Sequence, residues 1–452
     1  MLGGESGPRD DISISDGAKG RQPRFWNASR HGPVFARVKY IAFALPLLLA
    51  SCAAPVPQEP PAAGAAAPAG IDVSAASVAQ GNAAMGVALY KSLSAEPGNV
   101  FISPISIAGA FGPVVAGAQG ETRTAIASAL RFPADGGDAL HPELGGLLQR
   151  LERTRDGATL SIANALWVKK AFALRPEFEA TARRHYDARV EGLDFESAAV
   201  PSAKRINDWV SGETRGRIRN LITASSLNDR TRLVVTNAVY FLGDWAQPFD
   251  PSRTSEQPFH EPGGQTRQVP LMMDKGRFRY LETPRFQAVD LPYKDDRLSM
   301  SVFLPKKRDG LPAFETELSD ARLRGWLREL DASEPREVQL HLPKLKAELS
   351  YDLVPALSAM GMGIAFDPRR ANLRGIAPED LFISQVVHKS FVRIDEKGTE
   401  AAAATGVVIE ATGARSNPPP VFRADHPFFF LLRDKESGAI LFMGRIEAPE
   451  RP

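Results

Sequence analysis

A single cysteine, Cys52, in a chain of 452 residues removes intramolecular disulfides from the means by which this protein can hold itself together. It also makes a cysteine-based metal site implausible. Stability must come from packing. Roughly 375 residues follow position 75, enough to bury a large core. Composition is ordinary for a globular chain, 43% hydrophobic and 24% charged. The 55 basic and 53 acidic residues leave a net charge of +2, which gives no basis for a nucleic-acid partner. No unit of 20–50 residues repeats, so a solenoid or propeller is not expected.

The lone cysteine also has a telling address. Residues 1–36 are polar and rich in Gly, Arg and Asp, and are read as an extension without a packed element. Arg37-Val38-Lys39, the apolar run Tyr40 to Leu49 and the small residues Ala50-Ser51 then form the basic, apolar and small-residue regions of a signal peptide over 37–52. The run is too short to span a bilayer, which needs about 20 residues. Leu49-Ala50-Ser51-Cys52 is similar to the bacterial lipobox, which implies lipidation of Cys52, export and anchoring to the cell envelope (outer membrane or cell surface), facing the periplasm or the extracellular space. The 36-residue lead is long, and a start near Val34 or Val38 is an alternative reading. Residues 53–75 begin with an Ala/Pro-rich stretch that reads as a solvated tether.

From Ile71 the pattern turns globular. Helices are expected over 71–93, 122–130, 177–184 and 203–211, with Trp209 on an apolar face, and over 353–360 up to Gly361. Strands are expected over 160–168, 277–281, 287–291, 298–304, 337–342, 382–394, 421–422, 428–433 and 440–445. Leu233 to Phe241 (LVVTNAVYF) is apolar on both alternating phases, as in a strand covered on both faces. Helices come early and strands late without strict alternation, an α+β pattern.

Five segments in order carry a resemblance over about residues 76–450. They are Asn99-Val100-Phe101-Ile102-Ser103-Pro104-Ile105-Ser106-Ile107, Thr236 to Trp245 (TNAVYFLGDW), Asp395 to Thr405 (DEKGTEAAAAT), Asp425-His426-Pro427-Phe428 and Leu441 to Arg445 (LFMGR). Together they resemble the serpin family. The resemblance implies one domain over 76–450, a serpin fold of three β-sheets with eight or nine helices, and an exposed reactive-centre loop at about 396–422. It implies no enzyme activity of the chain's own, no cofactor and no metal. It implies a monomer that traps a serine protease by loop cleavage and insertion of the loop into the central sheet. By position, Ser103, Ser106, Asn237 and His388 match the family's shutter, and Gly243 and Trp245 its breach. Glu396, Lys397, Gly398, Thr399, Glu400, Ala401, Ala402, Ala403, Ala404 and Thr405 match the loop hinge.

The hinge can be tested for insertion on its own residues. Thr399, Ala401, Ala403, Thr405, Val407 and Ile409 share one phase of a period-2 strand, and all are small or apolar. Glu400 and Glu410 both fall on the other phase. No proline lies between Glu396 and Gly413, so no ladder donor is missing. Counting in family geometry places the attacked carbonyl at Thr412, with Gly413 leaving, which suits an elastase- or subtilisin-like enzyme. The segment up to Pro427 is about four residues longer than the common family pattern, which keeps Arg415-Ser416 and a trypsin-like enzyme as the alternative.

Two other readings stand beside the inhibitor of serine proteases. A non-inhibitory serpin acting as a binding or chaperone module would usually carry bulky or charged hinge residues. A cross-class inhibitor of cysteine proteases would use the same acyl trap. Arg150, Arg153 and Arg155, interrupted by Glu152 and Asp156, are weak grounds for a polyanion site. The chain has no G-x-S-x-G, H-E-x-x-H, P-loop or EF-hand pattern.

Overall fold

The computed structural model describes residues 73–133, 137–153, 157–294, 296–399 and 418–451. All of these belong to one unit, Ala67–Pro452. Cys52, its signal segment and residues 400–417 lie outside the described residues.

The strand expected to be covered on both faces is the axis of the molecule. The central sheet contains β1 (Ala158–Lys169), β2 (Arg189–Leu193), β3 (Leu233–Asp244), β4 (Leu345–Asp352), β5 (Ile383–Ile394) and the two-residue β6 (Gly398–Thr399). Its order is β4-β5-β6-β3-β1-β2. Below β6, β5 and β3 pair directly and in parallel, from Ile383 opposite Leu233 to Phe391 opposite Tyr240. β1 is antiparallel to β3 and β4 is antiparallel to β5.

Alternate residues of β3 enter different cores. Leu233, Val235, Val239 and Phe241 face the main core, with the helices Ala75–Leu93 and Pro104–Gly117 and the second set of strands. Val234, Ala238 and Tyr240 face a smaller core containing Ala203, Ile206 and Val210 of the helix Ala199–Glu213. Each face therefore excludes water by its own apolar cluster, and a polar group on either phase costs free energy unless it is paired.

The second set has nine strands, eight along one hydrogen-bonded path and the ninth, Ser255–His260, branching from it to pair with Thr266 to Leu271. The long strand Thr266–Glu282 divides it: Arg279 to Glu282 pair with Phe286–Pro292, while Leu271 to Phe278 pair with Arg336–Pro343. This gives three sheets in all, with nine α-helices among the described residues. Val421–Arg423 pairs in parallel on the far edge, against Gln339 to His341.

One expected element differs. The helix read over 353–360 is α-helical only at Val354–Leu357 and continues as a wide turn, Ser358–Met362. Gly361 sits at φ 100°, a left-handed conformation that glycine adopts freely, and the regular helix cannot pass it. Pro104–Gly117 is a helix that periodicity could not separate from strand, because nearly every one of its residues is buried.

Candidate functional site

The site lies along the seam between β3 and β5. Asn237 pairs across with His388 on one side and Asn164 on the other, so three polar side chains stand in a row on adjacent strands. Ser103 caps the helix Pro104–Gly117 beneath them, its Oγ accepting from the Ser106 backbone N–H. The Ser103 Oγ in turn donates to the Leu441 carbonyl at 2.6 Å. The Ser106 hydroxyl donates to Asn237 Oδ1 at 2.6 Å. Asn237 Nδ2 donates to the Ser106 carbonyl at 3.1 Å and to Asn164 Oδ1 at 2.6 Å.

His388 completes the row. Its Nε2 accepts the Ser103 backbone N–H at 3.2 Å, so its proton resides on Nδ1, which donates to Asn237 Oδ1 at 2.5 Å. A second proton would face the Ser103 N–H. His388 is fully buried, and burial pushes its pKa down to about 3. The imidazole is neutral, and the cluster is satisfied without a net charge. The structure thus brings Ser103, Ser106, Asn237 and His388 together and adds Asn164, a polar residue on an apolar strand that no motif singled out. Tyr351 stacks on the His388 ring at 6.3 Å.

At the upper end of the seam the chain leaves β5 and enters β6. Gly398 pairs with Asp244 and Thr399 with Gly243, antiparallel to β3, while Thr399 also pairs antiparallel with Ile394 of β5. Close approach explains the glycines. A Cβ on residue 398 would stand 1.9 Å from the Gly243 carbonyl oxygen, and a Cβ on residue 243 would stand 2.7 Å from the rings of Phe241 and Tyr293. Thr399 is fully buried, with its hydroxyl 2.8 Å from Tyr293 Oη. Trp245 is stacked on Tyr293 with centroids 4.6 Å apart. Its Nε1 donates to the Asp395 carbonyl at 3.0 Å, and its backbone N–H donates to the Lys397 carbonyl at 2.9 Å.

Glu396 is the anchor of this turn. Lys344 Nζ lies 2.9 Å from its carboxylate, the Thr254 hydroxyl donates to it at 2.8 Å, and its carbonyl accepts the Phe249 N–H at 2.7 Å. Burial works to raise the Glu396 carboxyl, but Lys344 and the other donors outweigh it and hold the pKa below the ordinary value. Lys344, Thr254 and Tyr293 carried no sequence signal. Each meets the hinge from a distant segment.

Glu400, Ala401 to Ala404, Thr405 and both candidate bonds, Thr412-Gly413 and Arg415-Ser416, lie outside the described residues, as do Cys52 and Arg155. Past that segment, the chain is fastened by Val421–Arg423, where Arg423 binds Asp425 at 3.0 Å and Gln257 at 3.2 Å. Arg150 and Arg153 line a small pocket beside Arg297, whose guanidinium pairs with Asp434 and Glu436. No group of three or more His, Cys, Asp or Glu among the described residues is arranged to hold a metal ion.

Gly398–Thr399 enters between two strands that run parallel to each other. The family model described as Serpin (serine protease inhibitor) matches residues 80–449. Serpin B6 of Macaca fascicularis is 36% identical over 376 residues, covering 82% of this chain and 99% of the relative. The leukocyte elastase inhibitor of Xenopus tropicalis is 38% identical over 360 residues, covering 78% of this chain and 93% of the relative. The crystal structure of uncleaved ovalbumin superposes with a TM-score of 0.75 at 30% identity, covering 82% of this chain and all of that one. With nearly the whole described unit accounted for, the chain belongs to the serpin family.

Proposed function

We propose that this serpin is an exported, lipid-anchored inhibitor of serine proteases that traps its target covalently. The observation that supports this reading best is the entry of β6 into the seam. Gly398–Thr399 is antiparallel to both neighbours, whereas those neighbours run parallel to each other below it. Extending the chain downward in the same register converts one parallel ladder into two antiparallel ones, which are slightly more stable per residue. That register sets Ala401 opposite Phe241, Ala403 opposite Val239, and Thr405 between Asn237 and His388. The inward phase then meets the main core with small or apolar residues, and Glu400 stays off it.

The chemistry follows the target's own mechanism. The protease serine attacks the Thr412 carbonyl, the bond to Gly413 breaks, and the new amine leaves on Gly413. The acyl-enzyme is hydrolysed if it stays at the protease's water site. Insertion carries the ester-linked protease away before water acts, so output is a partition between trapping and turnover. The hinge supports the fast branch: its inward positions hold no charge to desolvate. Lipidation of Cys52, followed by the Ala/Pro-rich tether, would present the inhibitor at the envelope surface.

The test is to mix the protein with an elastase, a subtilisin and a trypsin separately, run denaturing gels and weigh the released peptide. An SDS-stable adduct with a 40-residue peptide, Gly413–Pro452, supports trapping at Thr412. A peptide beginning at Ser416 moves the bond to Arg415 and the target to a trypsin-like enzyme. Clean cleavage by every enzyme with no adduct refutes the inhibitory reading.

A further inference from the structure

The fully buried Tyr240 hydroxyl has no hydrogen-bond partner among the described residues. Its place in the fold gives that a consequence. Tyr240 pairs with Phe391, the uppermost direct pair between β3 and β5; just above it the strands are already held apart by β6. Any downward growth of β6 breaks the Tyr240–Phe391 pair first.

The polar groups that could satisfy Tyr240 are committed elsewhere. Ser161, opposite it on β1, donates its hydroxyl to the Glu213 carbonyl at 3.1 Å. Lys389, two residues before Phe391 on the same face of β5, binds the Arg219 carbonyl and Glu348, both at 2.9 Å. What remains around the ring is the apolar cluster under the helix Ala199–Glu213, with Ala163, Ile206, Val210 and Phe391. A buried hydroxyl without a partner bears its desolvation penalty in full.

We propose that Tyr240 is a positioning residue for loop insertion: its unpaired hydroxyl destabilises the closed seam at the pair that must open first, and opening relieves the penalty by admitting water. This rests on the insertion reading above. The expectation is that removing the hydroxyl while keeping the ring holds the seam shut longer. Tyr240→Phe then slows insertion about tenfold, the fold-change that corresponds to one such penalty.

The experiment uses the whole protein and a synthetic peptide of residues 399–412 (TEAAAATGVVIEAT), with uptake followed as a band shift on native gels. Wild type and Tyr240→Phe are compared for uptake rate, and for the melting temperature of the intact and the peptide-loaded forms. The expected result is at least a fivefold slower uptake by the variant and a higher melting point of the intact form. The loaded forms should melt alike. Equal uptake rates, or an equal rise in both melting points, overturn the proposal while leaving insertion standing. No uptake by wild type overturns the insertion reading and this proposal with it. A Tyr240→Leu variant, also without the hydroxyl but smaller, separates the two effects: loss of ring packing alone would speed uptake.

Discussion

Replacing Lys344 by Met removes the cation beside Glu396 and leaves a largely buried carboxylate with the Thr254 hydroxyl as its remaining side-chain donor. The magnitude can be worked from the geometry. The side chains of Lys344 and Glu396 are 24% and 11% exposed, and their charged atoms are 2.9 Å apart. An exposed pair would contribute under about 1 kcal/mol. A fully buried one that loses a partner costs about 3–5 kcal/mol. This pair lies between, and the retained Thr254 bond lessens the loss, so about 2 kcal/mol is expected. For roughly 375 ordered residues the unfolding entropy near the midpoint is about 0.8 kcal/mol per degree, so the apparent melting temperature should fall about 2–3 °C. The assay is calorimetry at fixed scan rate on wild type, Lys344→Met, Lys344→Glu, Glu396→Lys and the swapped double variant. Both charge reversals should melt lower than Lys344→Met, and the swap should recover part of the loss. A Lys344→Met melt within half a degree of wild type, or a swap no better than the single reversals, would refute the reasoning.

Three further outcomes follow from the same geometry. Thr399→Arg places a charge at a fully buried site against Tyr293, so the loop should still be cut but no SDS-stable adduct should form; an undiminished adduct yield contradicts this. His388 is held down to about 3 against its ordinary value near 6.5, so the unfolded chain binds that proton first. Its contribution is intact above about pH 6.5 and lost as pH falls toward 3, at up to about 1.4 kcal/mol per pH unit. Denaturant titrations should therefore show a shallower acid slope for His388→Gln, and an unchanged slope would mean that other groups, such as the depressed His141 and His341, carry it. Gly398→Val should expel β6, because its Cβ overlaps the Gly243 carbonyl; Trp245 fluorescence, tied to this turn through the Asp395 carbonyl, should shift, and an unshifted spectrum would refute the overlap.

Much of the frame could be read from residue patterns. The doubly apolar run Leu233 to Phe241 is the central strand, and its two phases feed two cores. β4 carries a period-2 pattern in Leu345, Ala347, Leu349 and Tyr351, but the charged Lys346, Glu348 and Asp352 between and after them weaken its strand signal. The helix Pro104–Gly117 was hidden for the opposite reason: burial on every side leaves no amphipathic contrast to detect. In the site, the motif residues were legible and their partners were not. Asn164 meets Asn237 across 73 positions, Lys344 meets Glu396 across 52, and Thr254 meets Glu396 across 142. Such contacts depend on how strands and loops are brought together in three dimensions, and local periodicity carries no trace of them.

On the proposed mechanism the loop, once cut, becomes a strand between β3 and β5. The most direct measurement is the melting temperature of the protein before and after a protease clips it within 400–417. About a dozen new ladder hydrogen bonds at roughly 1 kcal/mol each should raise the midpoint by more than about 10 °C. A cut protein that melts at or below the intact one would contradict insertion, and with it the trapping mechanism.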